Sequence, residues 1–331
     1  MWTFAIALAL FFILEIGYFK IANRYNIIDK PNERSSHTAL TIRGGGIIFP
    51  LAVILGILLF QPSLSYLAIA IFLIASISFL DDILTLNHKL RIGVHLLSVL
   101  LLLIQIFLNQ NIANVLVFDL GAFILMLVAF IIIIGIINAY NFMDGINGIT
   151  VLYSLVTIMS LWFIQGQLNI PLLDQHIFGF LIASLLVFGF FNLRKKAKAF
   201  AGDVGSISIA LLFCFLLITL MIATENFKWL LLLGVYGLDA VGTIICRIIR
   251  KENIFEAHRS HFYQHLANEK KYSHITISLI YSAFQLLINI TLIYLSTPIA
   301  VLIFIFIIIL YIALRLKLEG YHKLFTGLQE D

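Results

Sequence analysis

Residues 200–224 read FAGDVGSISIALLFCFLLITLMIAT, a short turn with two glycines and one acid that runs into a stretch without a single charge. An α-helix needs roughly 20 apolar residues to cross the hydrocarbon core of a bilayer. The run from Val204 supplies them, so this stretch predicts a membrane span whose polar end carries Asp203. The same alternation of apolar window and polar break repeats along the chain in both directions, with windows beginning near Trp2, Gly46, Tyr66, Ile92, Val115, Ile149, His176, Val204, Trp229, Ile275 and Ile299. The expectation is therefore an all-α, polytopic integral membrane protein of about eleven transmembrane helices, forming a single membrane domain over residues 1–331.

Composition excludes a water-soluble core. Of the 331 residues 62% are hydrophobic and only 11% charged, and the mean hydropathy is +1.06. The run from Trp2 to about Ile21 has no basic segment ahead of it and no small-residue cleavage site behind, which reads as an uncleaved span. Cys214 and Cys246 both sit inside apolar runs, so neither a disulfide framework nor a thiolate metal site is expected.

Orientation follows from the basic residues. If the N-terminus is outside, every one of the 21 Lys and Arg residues except Lys228 falls on an inner loop or the inner tail. The positive-inside rule then sets a periplasmic N-terminus and a cytoplasmic C-terminus in a bacterial inner membrane. The net charge of +4 is accounted for by this topology, with no need for a nucleic-acid partner. Outer connections such as 61–65 and 109–114 are short and uncharged.

Acids are scarce, so their placement is informative. Asp81-Asp82 ends the third span, the element 138–148 with Asn141, Asp144, Gly145 and Gly148 ends the fifth, and Asp203 opens the eighth. All lie on the expected cytoplasmic side, within or beside loops near 22–45, 81–91, 138–148, 192–203 and 248–273. Taken singly, an Asp pair is a solvated interface, Asp-Gly is a turn, and Gly202-Asp203 is a helix N-terminus with a capping acid. Their coincidence on one side, with Lys89, Arg91, Lys195 and Lys196 close in sequence, suits a magnesium-dependent phosphoryl transfer. Gly145, Gly148, Gly202 and Gly205 are expected to let backbone N–H groups approach a nucleotide or phosphate. Glu15 and Asp119 are read as paired or snorkelling, and Asp239 as a structural partner of Arg247.

These motifs resemble the polyprenyl-phosphate N-acetylhexosamine-1-phosphate transferases, glycosyltransferase family 4. The resemblance begins at Asp29-Lys-Pro-Asn-Glu-Arg34 with His37 and Arg43-Gly-Gly-Gly46. It continues through Asp81-Asp82 with Lys89, the Asn-x-x-Asn-x-x-Asp-Gly element, Asn192, and Phe200-Ala-Gly-Asp203-Val-Gly-Ser206. It implies Asp203 as a ligand of Mg²⁺ (or Mn²⁺) together with Asp144, and Asp81, Asp82 and Lys89 at the reacting phosphates. It also implies Asn141, Asp144, Gly145 and Asn192 lining a uridine pocket, Phe200 stacking on uracil, and Arg259 and His261 contacting the diphosphate. Three departures stand out: His258 replaces an acid, Tyr263 and Gln264 replace two histidines, and Asn147 replaces an Asp. They resemble the O-antigen and surface-polysaccharide branch more than the branch acting on a peptide-bearing muramyl substrate.

The implied reaction moves a sugar-1-phosphate from a UDP-N-acetylhexosamine to a polyprenyl phosphate drawn from the membrane lipid, releasing UMP. A homodimer is implied by the resemblance alone. Rival readings are a transporter or lipid flippase, with Asp239 and Asp119 as its midspan acids, and a catalytically inactive relative.

Overall fold

The computed structural model describes residues 2–29, 40–84, 86–109, 120–254, 256 and 258–326. A chain in hydrocarbon must satisfy its backbone N–H and C=O groups internally, so the apolar runs become helices. The order is α1 (Trp2–Arg24), a small antiparallel ribbon of β1 (Ile28–Asp29) and β2 (Thr41–Ile42), then α2 (Ile48–Phe60), α3 (Ser65–Leu84), α4 (His88–Asn109) and α5 (Leu120–Phe142). There follow α6 (Ile149–Leu168), α7 (Gln175–Asn192), α8 (Gly202–Thr224), α9 (Gly234–Ile249), the short α10 (Phe262–Asn268), α11 (His274–Tyr294), α12 (Thr297–Glu319) and the short α13 (Tyr321–Phe325).

Among the described residues, ten helical stretches are long and apolar enough to cross a membrane. The remaining expected span is the shorter apolar helix Gly45–Phe60, in which a 3-10 turn leads into α2. The expected start near Val115 lies outside the described residues, and α5 is described from Leu120. Asp119, Lys30, Arg34 and His37 also lie outside them.

The quoted stretch becomes the centre of the bundle. α8 is buried over nearly its whole length and packs on α2, α3 and α5. By contrast, α12 buries only Ala300 and Arg315, which leaves its apolar sides for lipid. A close crossing holds the start of α8 against the turn before α2: a Cβ on Gly46 would stand 2.6 Å from Gly205 Cα and 2.8 Å from the Ala201 carbonyl. Small residues of this kind let two backbones touch where lipid offers no hydrophobic drive between helices. Deeper in the bundle, Tyr153 Oη donates to Gln285 Oε1 at 2.6 Å, Gln285 Nε2 to Asn289 Oδ1 at 2.7 Å, and Asn289 Nδ2 to Ser160 Oγ at 2.8 Å. That chain pins α6 to α11, each such bond contributing on the order of 1 kcal/mol.

Two sequence expectations are corrected. Glu15 neither pairs nor snorkels: it is fully buried, and neither carboxyl oxygen has a hydrogen-bond partner among the described residues. Asp239 does not pair with Arg247, whose guanidinium binds Glu252 at 2.8 Å and the carbonyls of Asn253, Ile254 and Glu256. The two side chains sit two turns apart on one helix; Arg247 finds its partners in the loop that follows, and Asp239 finds its partners on α10, α11 and α12.

Candidate active site

Antiparallel connection of successive spans brings the C-terminal ends of α3, α5 and α7 to the same end of the bundle as the N-terminal ends of α4, α6 and α8. At that end the acids gather. Arg91, in the first turn of α4, reaches Asp81 Oδ2 at 2.6 Å and Asp203 Oδ2 at 3.4 Å, so one guanidinium bridges α3 and α8. Asp81 also accepts the Leu86 N–H at 2.8 Å, which closes the turn between α3 and α4.

Asp82 faces inward. Its side chain has no exposure, and it accepts Arg43 Nε at 2.9 Å and the N–H groups of Asp203 and Val204 at 3.3 Å each. An acid at the N-terminus of α8 offsets the helix dipole as well as its free N–H groups. Gly202 is required there: its φ is +72°, and a Cβ would stand 2.6 Å from Asp82 Oδ2. Arg43 gains more from the neighbouring carboxylates, Asp82 first, than it loses by burial, and its basicity is raised.

From α5, Asn141 hydrogen-bonds the Asp203 carboxylate and accepts Ser206 Oγ at 2.8 Å. Asp144, three residues on, accepts the Thr150 hydroxyl. Burial, with the Asp203 and Asp82 charges behind it, pushes Asp144 up to about 7. Asn192 is fully engaged by backbone, accepting Gly148 N–H at 2.7 Å and donating to the Ala199 carbonyl at 2.8 Å. It joins the end of α7 to the start of α6. Asn147 similarly donates to the Arg194 carbonyl at 2.8 Å, a bond an Asp in its place could not donate.

Phe200 is half-buried beside Asp203, its backbone locked to Ile42 and Gly45 by bonds of 2.8 Å each. His261 is buried against the Phe142 and His258 rings, 3.8 Å from Asp239, with neither ring nitrogen hydrogen-bonded among the described residues. Burial, then the His261 charge, lowers His258 to about 4. Arg259 is half-buried in the same loop, near Tyr263.

Sequence reasoning chose Lys89 as the cation of the α3–α4 turn. Lys89 is exposed and makes no ion pair among the described residues, and Arg91 takes the bridging place two positions on. Arg91→Ala is therefore expected to lower turnover about 10²-fold or more, while Lys89→Ala changes it only a fewfold; steady-state rates of the two purified variants check this. The glycines also differ from expectation. Gly145, Gly148, Gly202 and Gly205 admit other parts of the protein, Tyr263, Leu193, Asp82 and Gly46 respectively, and the close approach at these positions is chain upon chain.

Among the described residues, no three His, Cys, Asp or Glu side chains converge closely enough to hold a metal ion. The donor chemistry and the charge balance nevertheless fit one. Asp81, Asp82, Asp144 and Asp203 face two guanidinium groups, Arg43 and Arg91, which leaves two negative charges uncompensated when all four are ionised. Burial first, and the Asp203 and Asp82 charges after it, raise Asp144, and hard carboxylate oxygens suit a hard divalent cation.

Comparison with known proteins agrees with the motifs. Residues 64–221 match Glycosyl transferase family 4. A probable undecaprenyl-phosphate N-acetylglucosaminyl 1-phosphate transferase of Bacillus subtilis is 28% identical over 262 residues, covering 75% of this chain and 71% of that protein. A phospho-N-acetylmuramoyl-pentapeptide-transferase of Streptococcus pyogenes serotype M6 is 38% identical over 131 residues, 38% of this chain and 36% of the relative. One from serotype M12 is 34% identical over 185 residues, 51% of this chain and 52% of the relative. The chain thus spans about a third to a half of these streptococcal relatives in the matched regions.

Proposed function

Over residues 64–221 this chain is a glycosyl transferase family 4 protein, and from that we propose that it transfers an N-acetylhexosamine-1-phosphate from a UDP-sugar to a polyprenyl phosphate. An acceptor phosphate oxygen attacks the β-phosphorus, the bond from that phosphorus to the oxygen of UMP breaks, and UMP leaves with the electron pair. The observation that carries this reading is the four-carboxylate, two-guanidinium cluster at one end of the bundle. The Bacillus subtilis relative is a probable transferase of the same kind.

Asp203 and Asp144 would hold Mg²⁺, or Mn²⁺ in its place, and the ion would supply positive charge to the diphosphate as it divides. The chain's own residues set the geometry. Arg91 holds Asp81 and Asp203 at a fixed spacing across α3 and α8, while Asp82 and Arg43 fix the start of α8. Asn141 orients the Asp203 carboxylate. Phe200 offers a partly open aromatic face for uracil. Arg259 and His261 lie on the loop assigned to the diphosphate, and Lys89 attracts the anionic substrates from an exposed position. A phosphate monoester is already ionised near neutral pH, so the acceptor needs no strong base. This leaves Asp81 as an orienting group.

The concentration of basic residues at this end supports a cytoplasmic site under the positive-inside rule. The departures at His258, Tyr263, Gln264 and Asn147 favour surface-polysaccharide initiation, of the O-antigen kind, over a muramyl-peptide donor. Transport would have needed Asp239 as a midspan site. That carboxylate is instead filled by protein donors, the Phe262 and Tyr263 N–H groups and the Tyr281 and Tyr311 hydroxyls.

Detergent-purified protein given undecaprenyl phosphate, Mg²⁺ and a panel of UDP-N-acetylhexosamines tests the proposal. UMP release that needs one donor, the lipid and the metal, and that stops on chelation with EDTA, is expected. Folded protein that releases no UMP with any donor contradicts it.

A further inference from the structure

Tyr263 stands where the resembling family carries a histidine, and it is one of the largest fully buried side chains in the protein. Its backbone is anchored from inside the membrane region. Asp239 of α9 accepts the Phe262 N–H at 2.8 Å and the Tyr263 N–H at 3.1 Å, and Tyr281 of α11 and Tyr311 of α12 both donate to the same carboxylate. The start of α10 is thereby held to three other helices.

From this anchor the Tyr263 side chain points to the candidate active site. Its Oη donates at 2.8 Å to the carbonyl of Phe142, the last residue of α5. The final carbonyls of a helix lack partners within it, and here the phenol satisfies one of them two residues before Asp144. The next contact is steric. A Cβ on Gly145 would fall well inside van der Waals contact distance of Tyr263 Oη, with Cζ at 3.0 Å and Cε2 at 3.2 Å. The φ of Gly145 is not in the left-handed region. What demands glycine there is the occupied space, and the occupant is Tyr263.

We propose that Tyr263 is a positioning residue for Asp144: its phenol ties the turn 142–145 to the Asp239-anchored loop, and Gly145 is glycine because that phenol fills the place of a side chain. The proposal rests on the reading that Asp144 belongs to the active site. It assigns the tyrosine a different task from a diphosphate contact. Its ring lies beside His261, at 5.9 Å between centroids and 22° between planes, so it also supports the histidine assigned to the diphosphate.

The test is a double-mutant cycle of Gly145→Ala, Tyr263→Phe and the combined variant, measured in the full-length protein as turnover, donor KM and melting temperature. Tyr263→Phe is expected to lower kcat about tenfold at nearly unchanged melting temperature, with the donor KM within about twofold, because a turn that shifts by a fraction of an ångström misaligns the reacting groups. Gly145→Ala is expected to lower kcat about 10²-fold, since its methyl must displace the phenol or the turn. Removing the hydroxyl leaves only ring carbons, which can tilt, so the combined variant should recover at least about tenfold of that loss.

Full turnover in Tyr263→Phe, a loss confined to its melting temperature, or a combined variant no better than Gly145→Ala overturns the proposal. A parent protein without transferase turnover contradicts the proposed function instead. The cycle is then read in melting temperature, where the combined variant must regain what Gly145→Ala loses, and its failure to do so overturns the contact.

Discussion

Replacing Asp203 with Asn is expected to abolish sugar-phosphate transfer, by about 10³-fold or more, in protein that remains folded. The substitution keeps the size of the side chain and can keep a hydrogen bond to Asn141, but it removes the charge that Arg91 meets at 3.4 Å. Charge placed in advance at a reacting phosphate is the largest single contribution an active site makes, and removing one such group costs on the order of 10²–10³ in rate. Loss of the proposed divalent ion would add to that. The Asp203 side chain is partly exposed, so folding should change little, within about 1 kcal/mol. UMP release and a melting curve on the same preparation separate the two effects. Retained turnover would remove Asp203 from the site.

Asp82→Asn should do the opposite kind of damage. This carboxylate is sealed from solvent and accepts three donors: Arg43 Nε and the N–H groups of Asp203 and Val204. An amide can accept at one end only. The other end brings an NH₂ group against a donor, and the contact of Asp82 Oδ2 with Gly202 leaves little room to move. Breaking a buried ion pair and leaving an N–H without an acceptor costs about 2–4 kcal/mol here, discounted for the partly exposed Arg43. The expected result is a lowered melting temperature together with turnover reduced about 10²-fold, because the start of α8 that carries Asp203 loses its anchor. A variant as stable as the parent would show that the anchor is not needed.

Much of this was legible in the sequence because the bilayer is an exacting solvent. Apolar length alone marked the spans, and the sidedness of Lys and Arg together with the scarcity of acids directed attention to one end. Asp81, Asp82, Asn141, Asp144 and Asp203, far apart in the chain, meet there as the alternation of spans requires. What the sequence left hidden depends on helix rotation and on contacts across the chain. Lys89 and Arg91 are two residues apart in the first turn of α4, and only the positions of Asp81 and Asp203 on other helices decide which of them pairs. Asp239 and Arg247 share a helical face, yet the partners of Asp239 lie on α10, α11 and α12, at separations no local pattern encodes. The glycines read as places where a nucleotide or phosphate comes close, whereas what comes close is the protein itself. At Gly46 and Gly205 it is another backbone, at Gly202 a carboxylate, and at Gly145 the phenol of Tyr263. Asn192 read as a ligand by motif, whereas its amide, like that of Asn147, is engaged by the main chain of neighbouring turns.

The most direct measurement follows the β-phosphorus itself. Purified protein is given undecaprenyl phosphate, Mg²⁺ and a UDP-N-acetylhexosamine labelled with ³²P at the β position, and the products are partitioned between butanol and water. Transfer of a sugar-1-phosphate predicts label entering the lipid phase in step with UMP appearing in the aqueous phase. Sugar in the lipid with the label left behind in UDP, or no label in the lipid from folded protein with any donor, would contradict it.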